Sequence, residues 1–185
     1  MPHHAAERYI GKLVNAGKRV ALAEQVGEVK PGKIVKREVT QIISAGTVND
    51  LNLLDQAKNN YLAGVFFSQK KYGLAAIDLT TSHFKIAEFD DFTDLEDELN
   101  RISASEIIFS EEQDNHFEKL SENIISHDSY AFLKDGAFEN LIQHFGTHSL
   151  DGFGCSDMSA GISAAGGVFH YLQSTLRRDL SHIRN

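Results

Sequence analysis

The sequence predicts a mixed α/β fold in which helices cover the faces of one mixed sheet. Three strand-like runs come first, at 61–68, 74–79 and 83–89, with turn residues between them. Helical and strand-like stretches then alternate from residue 92 onward, which gives the order βββαβαβα. The composition suits a globular domain, because 42% of the 185 residues are hydrophobic and 24% are charged.

A smaller group of elements precedes this sheet. Apolar residues at helical spacing predict a helix over 5–16, which Gly17 is expected to end. Strands are expected over 19–26 and 34–43, with a polar loop between them. The apolar helix face consists of Tyr9, Ile10, Leu13 and Val14. One helix and two strands are too few to enclose a core, so we expect only part of a domain here.

The domain boundaries follow from this reading. Residues 1–46 are predicted to be the C-terminal part of a first domain, and Gly46 is expected to supply the turn that ends it. Residues 47–60 form the predicted linker, with a short helix capped by Asn49 or Asp50. Residues 61–185 form the predicted second domain.

Within the second domain, a turn is expected at 70–73 and a helix at 92–102, where Thr93 and Glu96 have the spacing of a capping box. The run EIIFSE indicates a buried parallel strand. The remaining expectations are a helix carrying Phe117, Leu120 and Ile124, a strand at 130–133, a helix carrying Phe138, Leu141, Ile142 and Phe145, and a Gly- and Ala-rich final helix from Ser159 that packs closely.

Charge is distributed unevenly along the chain. Residues 1–40 carry eight Lys/Arg against four Asp/Glu, whereas residues 41–160 carry seven against twenty-one. Contacts with a DNA backbone are therefore expected only from the basic first segment. The candidates are Lys18, Arg19, Lys30, Lys33, Lys36 and Arg37. Ordinary solvated loop charges remain an equally good interpretation of these residues.

Several chemical motifs are incomplete. The loop GEVKPGKI matches a nucleotide-binding Walker A loop until Ile34, which replaces the Ser/Thr that would hold Mg²⁺. Zinc binding by His144, His148 and Cys155 is disfavoured, because Gly146 interrupts the helix that the two histidines need. A nucleophilic Cys155 served by His144 or His170 has no supporting spacing. We therefore predict no catalytic residue, cofactor or metal in this chain.

The single cysteine excludes an internal disulfide and fits a reducing compartment, so the expected location is the cytoplasm. No apolar run approaches the ~20 residues of a membrane span, and no membrane association is expected.

A metal-dependent nuclease is the alternative function. The order of elements resembles the ribonuclease H-like fold, in which clustered carboxylates hold two Mg²⁺ ions. Here the first strand of the sheet, 61–68, carries no acid. Asp78 and Glu111 lie at the ends of later strands, and neither has an evident partner.

Five stretches in order resemble the MutS family of DNA mismatch repair proteins. They are PHHA at the start, AEQ at the end of a strand, SAGT at 44–47 and the hairpin YGLAAIDLTTSHF, followed by AAGGVFHYLQSTLRRDLSHIRN near the end. Two positions depart from the family pattern: Ala45 replaces the usual proline, and His83 stands where glycine is common.

The resemblance implies a fragment of a longer protein. It implies the end of the mismatch-recognition domain and a ribonuclease H-like, non-catalytic connector domain that leads toward the lever region. The family's Phe-x-Glu motif for mismatch reading is not found in residues 1–60. The implied partners of the parent protein are mismatched double-stranded DNA, MutL and a second subunit. ATP and Mg²⁺ would bind its ATPase domain, and the protein would act on the nucleoid.

Overall fold

The described chain contains a small helix-and-hairpin group followed by a five-stranded sheet with helices on both faces. This computed structural model describes residues 3–26, 35–48, 59–117, 119–120 and 123–176. The mixed α/β class and the mixed sheet predicted from the sequence are confirmed. Within the described ranges, no helix is long and apolar enough to cross a membrane.

The N-terminal unit, residues 3–26 and 35–48, consists of helix α1 (His3–Asn15) and the antiparallel strands β1 (Val20–Val26) and β2 (Lys36–Ile43). The last residue of α1 is Asn15, and Gly17, which was predicted to end the helix, follows it with a left-handed φ of 70°.

The buried face of α1 is narrower than the sequence predicts. Ile10 and Val14 are buried against Ile43 and Val48, whereas Tyr9 and Leu13 are 55% and 45% exposed. The four apolar side chains therefore do not all point inward, because the two-stranded sheet covers only one side of the helix.

The sheet unit, residues 59–176, contains five strands in the spatial order β5-β4-β3-β6-β7. The first three strands form an antiparallel meander, and β6 and β7 continue the sheet parallel to β3. The strands are β3 (Tyr61–Ser68), β4 (Lys71–Asp78), β5 (His83–Phe89), β6 (Glu106–Ser110) and β7 (Ile124–His127).

Helices lie on both faces of this sheet. Helix α2 packs on one face, and helices α4 and α5 pack on the other, so each face has its own apolar core. The helices are α2 (Phe92–Ile102), α3 (Asp114–Phe117), α4 (Lys134–Phe145) and α5 (Ser159–Leu176), with 3₁₀ turns at Glu111–Gln113, Ser129–Phe132 and Asp151–Phe153.

Two local predictions in the first half of the sheet unit are wrong. The turn lies at Gln69 and Lys70, with φ values of 51° and 63°, and not at 70–73. Two left-handed residues make the tight hairpin turn whose twist matches that of the strands. Asp91, and not a capping box, precedes α2, and Thr93 lies inside the helix.

Two further predictions fail in the second half. Phe117, Leu120 and Ile124 do not share a helix, because α3 ends at Phe117 and Ile124 begins strand β7. The segment 130–133 is not a strand, since a 3₁₀ turn covers Ser129–Phe132. Short apolar segments fit either period, and pairing of β7 with β6 decides the outcome here. The helix predicted after Asn49 or Asp50 lies outside the described residues.

The close packing predicted for the last helix is confirmed. Gly73 lies in β4 directly beneath the start of α5, and a Cβ atom added there would come within 2.1 Å of the carbonyl carbon of Ala160. Glycine is needed at this position because the helix backbone rests on the strand backbone.

We predict that Gly73→Ala lowers the free energy of unfolding by about 1–3 kcal/mol, because the methyl group forces α5 away from the sheet. Gly136→Ala is the matched control, since nothing lies within 4 Å of its added Cβ on helix α4. The control should be neutral or stabilising by up to ~1 kcal/mol. Urea unfolding of both variants measures the difference, and equal effects would contradict this account of the packing.

Candidate functional site at the junction of the two units

The N-terminal unit ends in a buried hydrogen-bonded corner, residues 44–48. The backbone N–H of Ser44 donates to Oγ1 of Thr47 at 2.8 Å, and the two side-chain oxygens lie 2.9 Å apart. The N–H groups of Thr47 and Val48 donate to the Ser44 carbonyl at 3.2 and 3.1 Å. The Thr47 hydroxyl and the Ser44 carbonyl therefore accept hydrogen bonds from backbone N–H groups that the turn would otherwise bury unpaired.

The corner is held against the sheet unit by the carboxylate of Glu106. Oε2 accepts hydrogen bonds from the Ser44 hydroxyl and from the Gly46 N–H, the latter at 2.8 Å. Oε1 accepts a hydrogen bond from the hydroxyl of Tyr171. Glu106 is only 3% exposed at the start of β6. One buried carboxylate thus joins the corner, a central strand and helix α5.

The side chain of Asn60 also holds this corner in place by hydrogen bonds. Nδ2 of buried Asn60 donates to the carbonyl oxygen of Ala45 at 2.8 Å and to that of Val48 at 3.4 Å. Ala45 thereby contributes to the junction through its backbone carbonyl.

The reason for glycine at position 46 differs from the prediction. Gly46 is not among the described glycines with positive φ, so its backbone conformation does not require glycine. A Cβ atom there would lie 2.8 Å from Cβ of Glu106 and 3.0 Å from Cδ1 of Leu62. Glycine is present because the corner lies directly on β3 and β6.

The donor from helix α5 keeps its proton. Burial, with the nearby Glu106 charge and the hydrogen bond to it as further causes, raises the pKa of Tyr171 well above its usual range. The hydroxyl is therefore a permanent donor to the Glu106 carboxylate. The Arg19 guanidinium carbon lies 5.7 Å from the centre of the Tyr171 ring, within the range of a cation–π contact.

The four described basic residues among those proposed for DNA contact lie at two separate places. Lys18 and Arg19 line a groove of about 190 Å³ between the two units, beside Ser44 and Glu106. Exposed Lys36 and Arg37 begin β2, at the opposite end of the hairpin, roughly 20 Å away along a strand of this length. Lys30, Lys33 and the Walker-like loop lie outside the described residues. The DNA role of all six stays a prediction.

The carboxylates considered for a nuclease are kept apart. Asp78 is fully buried at the end of β4, and its Oδ1 accepts hydrogen bonds from the Thr80 N–H at 2.9 Å and the Thr80 hydroxyl at 2.6 Å. Glu111 is exposed, and its Oε1 faces the Ser129 N–H at 3.4 Å. Among the described residues, neither acid belongs to a group of three or more side chains close enough together to hold one metal ion.

Cys155 is buried, and its environment does not activate it. The thiol donates a weak hydrogen bond to the Leu150 carbonyl at 3.9 Å, and burial raises its pKa. His170 instead contacts His127 and Tyr130. The ring of His144 packs against Phe145 and Phe169.

Sequence reasoning missed Glu106, Asn60 and Tyr171 as junction residues. The only signal was chemical: Glu106 opens the run EIIFSE, for which the sequence predicts a buried strand, and a buried carboxylate needs hydrogen-bond partners. Its partners lie 62, 60 and 65 residues away along the chain, a separation that no local pattern covers.

Comparison with known proteins gives a consistent family. The model described as MutS domain I matches residues 1–52, and the model described as MutS domain II matches residues 60–184. The DNA mismatch repair protein MutS of Dehalococcoides mccartyi is 37% identical over 187 residues, covering 99% of this chain and 21% of that protein. The corresponding protein of Protochlamydia amoebophila is 40% identical over 196 residues, covering 100% and 23%.

The chain spans about a fifth of the length of these relatives. Among solved structures, the Fowlpox virus resolvase in complex with Holliday junction DNA is 15% identical, with a TM-score of 0.43 over 62% of this chain and 97% of that one. A likeness at that level supports no inference about this chain.

We predict that Glu106→Gln and Tyr171→Phe are energetically coupled, because each removes a partner from the same hydrogen-bonded group. Each single variant should lose about 1–3 kcal/mol of unfolding free energy. The double variant should lose less than the sum by at least ~0.5 kcal/mol. Pairing Glu106→Gln with Tyr9→Phe, on an exposed tyrosine, is the control and should be additive. Additivity in both cycles would show that the two side chains do not act together.

We also predict that Cys155 alkylates slowly at pH 8, because its raised pKa keeps the buried thiol protonated. Reaction with iodoacetamide should accelerate when urea unfolds the chain. Since the folded-state pKa lies above the unfolded one, this group stabilises the fold below the unfolded pKa, and that contribution is lost as the pH rises through the folded pKa. Equal rates with and without urea would refute the prediction.

Proposed function

The chain belongs to the MutS family, and we propose that it joins the mismatch-binding part of a DNA mismatch repair protein to the rest of its subunit. In this proposal the chain itself is non-catalytic. The parent protein binds mismatched double-stranded DNA in an ATP-dependent way as a homodimer. ATP and Mg²⁺ bind the parent protein outside these residues, and the protein acts on nucleoid DNA in the cytoplasm.

The Glu106 junction is the observation that supports a relay. A buried polar network in which each group has its partner fixes one geometry, because any displacement leaves charges or donors unpaired. The hydrogen bonds to Glu106 come from both units, so a movement of the corner reaches β6 and α5 directly. Two units joined only by a flexible linker would lack this coupling.

We infer a ribonuclease H-like, connector-type fold for the sheet unit, with no retained nuclease chemistry. The three-stranded meander extended by two parallel strands is consistent with that fold. Among the described residues, Asp78 belongs to no cluster of three potential metal ligands, which argues against two-metal catalysis, because that mechanism needs carboxylates that converge on ions ≈ 3.5–4 Å apart.

We further propose that the side of the sheet unit around α2 receives MutL. Asp90, Asp91, Asp94 and Asp97 are all exposed at the start of this helix or within it. A dense acidic surface favours a basic partner and speeds its association. Helix α2 covers the sheet face opposite α5, so a partner there would leave the Glu106 junction in place.

The relay is tested in the full-length protein that carries this chain. We predict that Glu106→Gln leaves mismatch affinity and basal ATP hydrolysis within about twofold but lowers mismatch-dependent stimulation of ATP turnover about fivefold or more, as expected for a lost coupling. Fluorescence anisotropy on mismatched duplexes and a phosphate-release assay give the three quantities.

Glu112→Gln, which removes an exposed acid from the same stretch of chain, is the matched control and should change none of them. Full stimulation in the Glu106 variant would contradict the relay. Absence of mismatch binding by the unaltered protein would contradict the family function itself.

A further inference from the structure

Three potential metal ligands converge where strand β7 meets helix α5. His127 is the last residue of β7, Asp128 follows it, and His170 faces them from α5. Nε2 of His127 lies 2.8 Å from Nδ1 of His170. One ligand atom from each of the three residues lies within 4.8 Å of the other two. The sequence gives no hint of this cluster, because 43 residues separate the two histidines.

The distances suit one small ion after a short side-chain movement. With bonds of about 2.0–2.1 Å and tetrahedral angles, neighbouring zinc ligands lie about 3.4 Å apart. The two imidazole nitrogens are already near that spacing. Asp128 is exposed and makes no side-chain capping bond to the 3₁₀ turn that it precedes. Its carboxylate is therefore able to rotate toward the two nitrogens.

Tyr130 orients the second imidazole. Its hydroxyl lies 2.7 Å from Nε2 of His170. When Nε2–H donates to this hydroxyl, the Nδ1 lone pair of His170 points toward His127. A metal-binding histidine ordinarily uses one ring nitrogen for the ion and the other as a hydrogen-bond donor to a fixed partner. The Tyr130–His170 pair has that arrangement.

The charges around the cluster are mixed. The carboxylates of Asp128 and Glu111 favour a cation, and the guanidinium of Arg19 opposes one. Two imidazoles and one carboxylate are a common ligand set for zinc and its neighbours in the first transition series.

We propose that His127, Asp128 and His170 bind one divalent transition-metal ion of the zinc type, with a fourth coordination position left to water. The site is separate from the mismatch repair function proposed above. An ion here would link β7 to α5 at His170. The next residue of that helix is Tyr171, whose hydroxyl donates a hydrogen bond to Glu106. Metal binding would thereby stiffen the element that connects both units.

The test is titration of the metal-free chain with ZnCl₂ by isothermal calorimetry. We expect one ion per chain, and affinity lowered about tenfold or more in His127→Asn and in Asp128→Asn. Asp128 is exposed, so its variant should fold even if the histidine variant does not. The matched controls are His148→Asn and Asp157→Asn, which remove the same groups from exposed positions outside the cluster and should bind like the unaltered chain.

Two further measurements distinguish a preformed metal site from nonspecific binding of Zn²⁺ by other histidines. Tyr130→Phe should keep the stoichiometry but lower affinity about tenfold, since it removes only the orienting partner. A hundredfold excess of Zn²⁺ over Kd should raise Tm by about 5–10 °C. Replacing both His3 and His4 by Asn should leave this binding unchanged. Binding that survives both Asn variants of the cluster, or no stoichiometric binding at all, would overturn the proposal.

Discussion

The buried carboxylate of Glu106 is the interaction on which the arrangement of the two units depends. It accepts hydrogen bonds from the corner and from helix α5 while nearly inaccessible to water. Hydrogen bonds to a charged group contribute about 1.5–3 kcal/mol each, yet removing a carboxylate from water costs several kcal/mol. Its net effect on stability is therefore modest. Its effect on geometry is large, because only one docking position satisfies all the donors.

Helix α5 carries this constraint through the sheet unit. Its N-terminal half rests on β4 at Gly73 so closely that no side chain fits between the two backbones. Its C-terminal half carries Tyr171, which reaches Glu106, and His170, which reaches the end of β7. The helix also contacts β2 of the N-terminal unit. A displacement of the corner must therefore either move α5 or break the bonds at Glu106, and this is the physical content of the proposed relay.

The sequence predicted the long helices and failed on the short elements and the non-local contacts. Helices α2 and α5 follow from apolar residues at helical spacing over three or more turns, a signal that tertiary contacts rarely overrule. The four-residue strand β7 has too few residues to show a period, and its two isoleucines fit a helix equally well.

Gly73 was assigned to a turn, although α5, nearly ninety residues later, is what requires it. Glu106 was predicted only as part of a buried strand, and its role at the junction depends on partners in other elements. The family resemblance, by contrast, was confirmed, because several ordered motifs define a family even where single positions such as Ala45 differ.

Native-state hydrogen exchange tests most directly whether Glu106 holds the N-terminal unit in place. In the unaltered chain, the paired amides of β1 and β2 should exchange only after a local opening reaction, and the free energy of that opening should be measurable. In Glu106→Gln, exchange across β1 and β2 should accelerate by about tenfold or more, as expected for a loss of ~1.4 kcal/mol, while amides of β3 and β4 change much less. An equal change in both groups of strands would mean that Glu106 contributes only to global stability. No change in β1 and β2 would show that the two units are held together by other contacts.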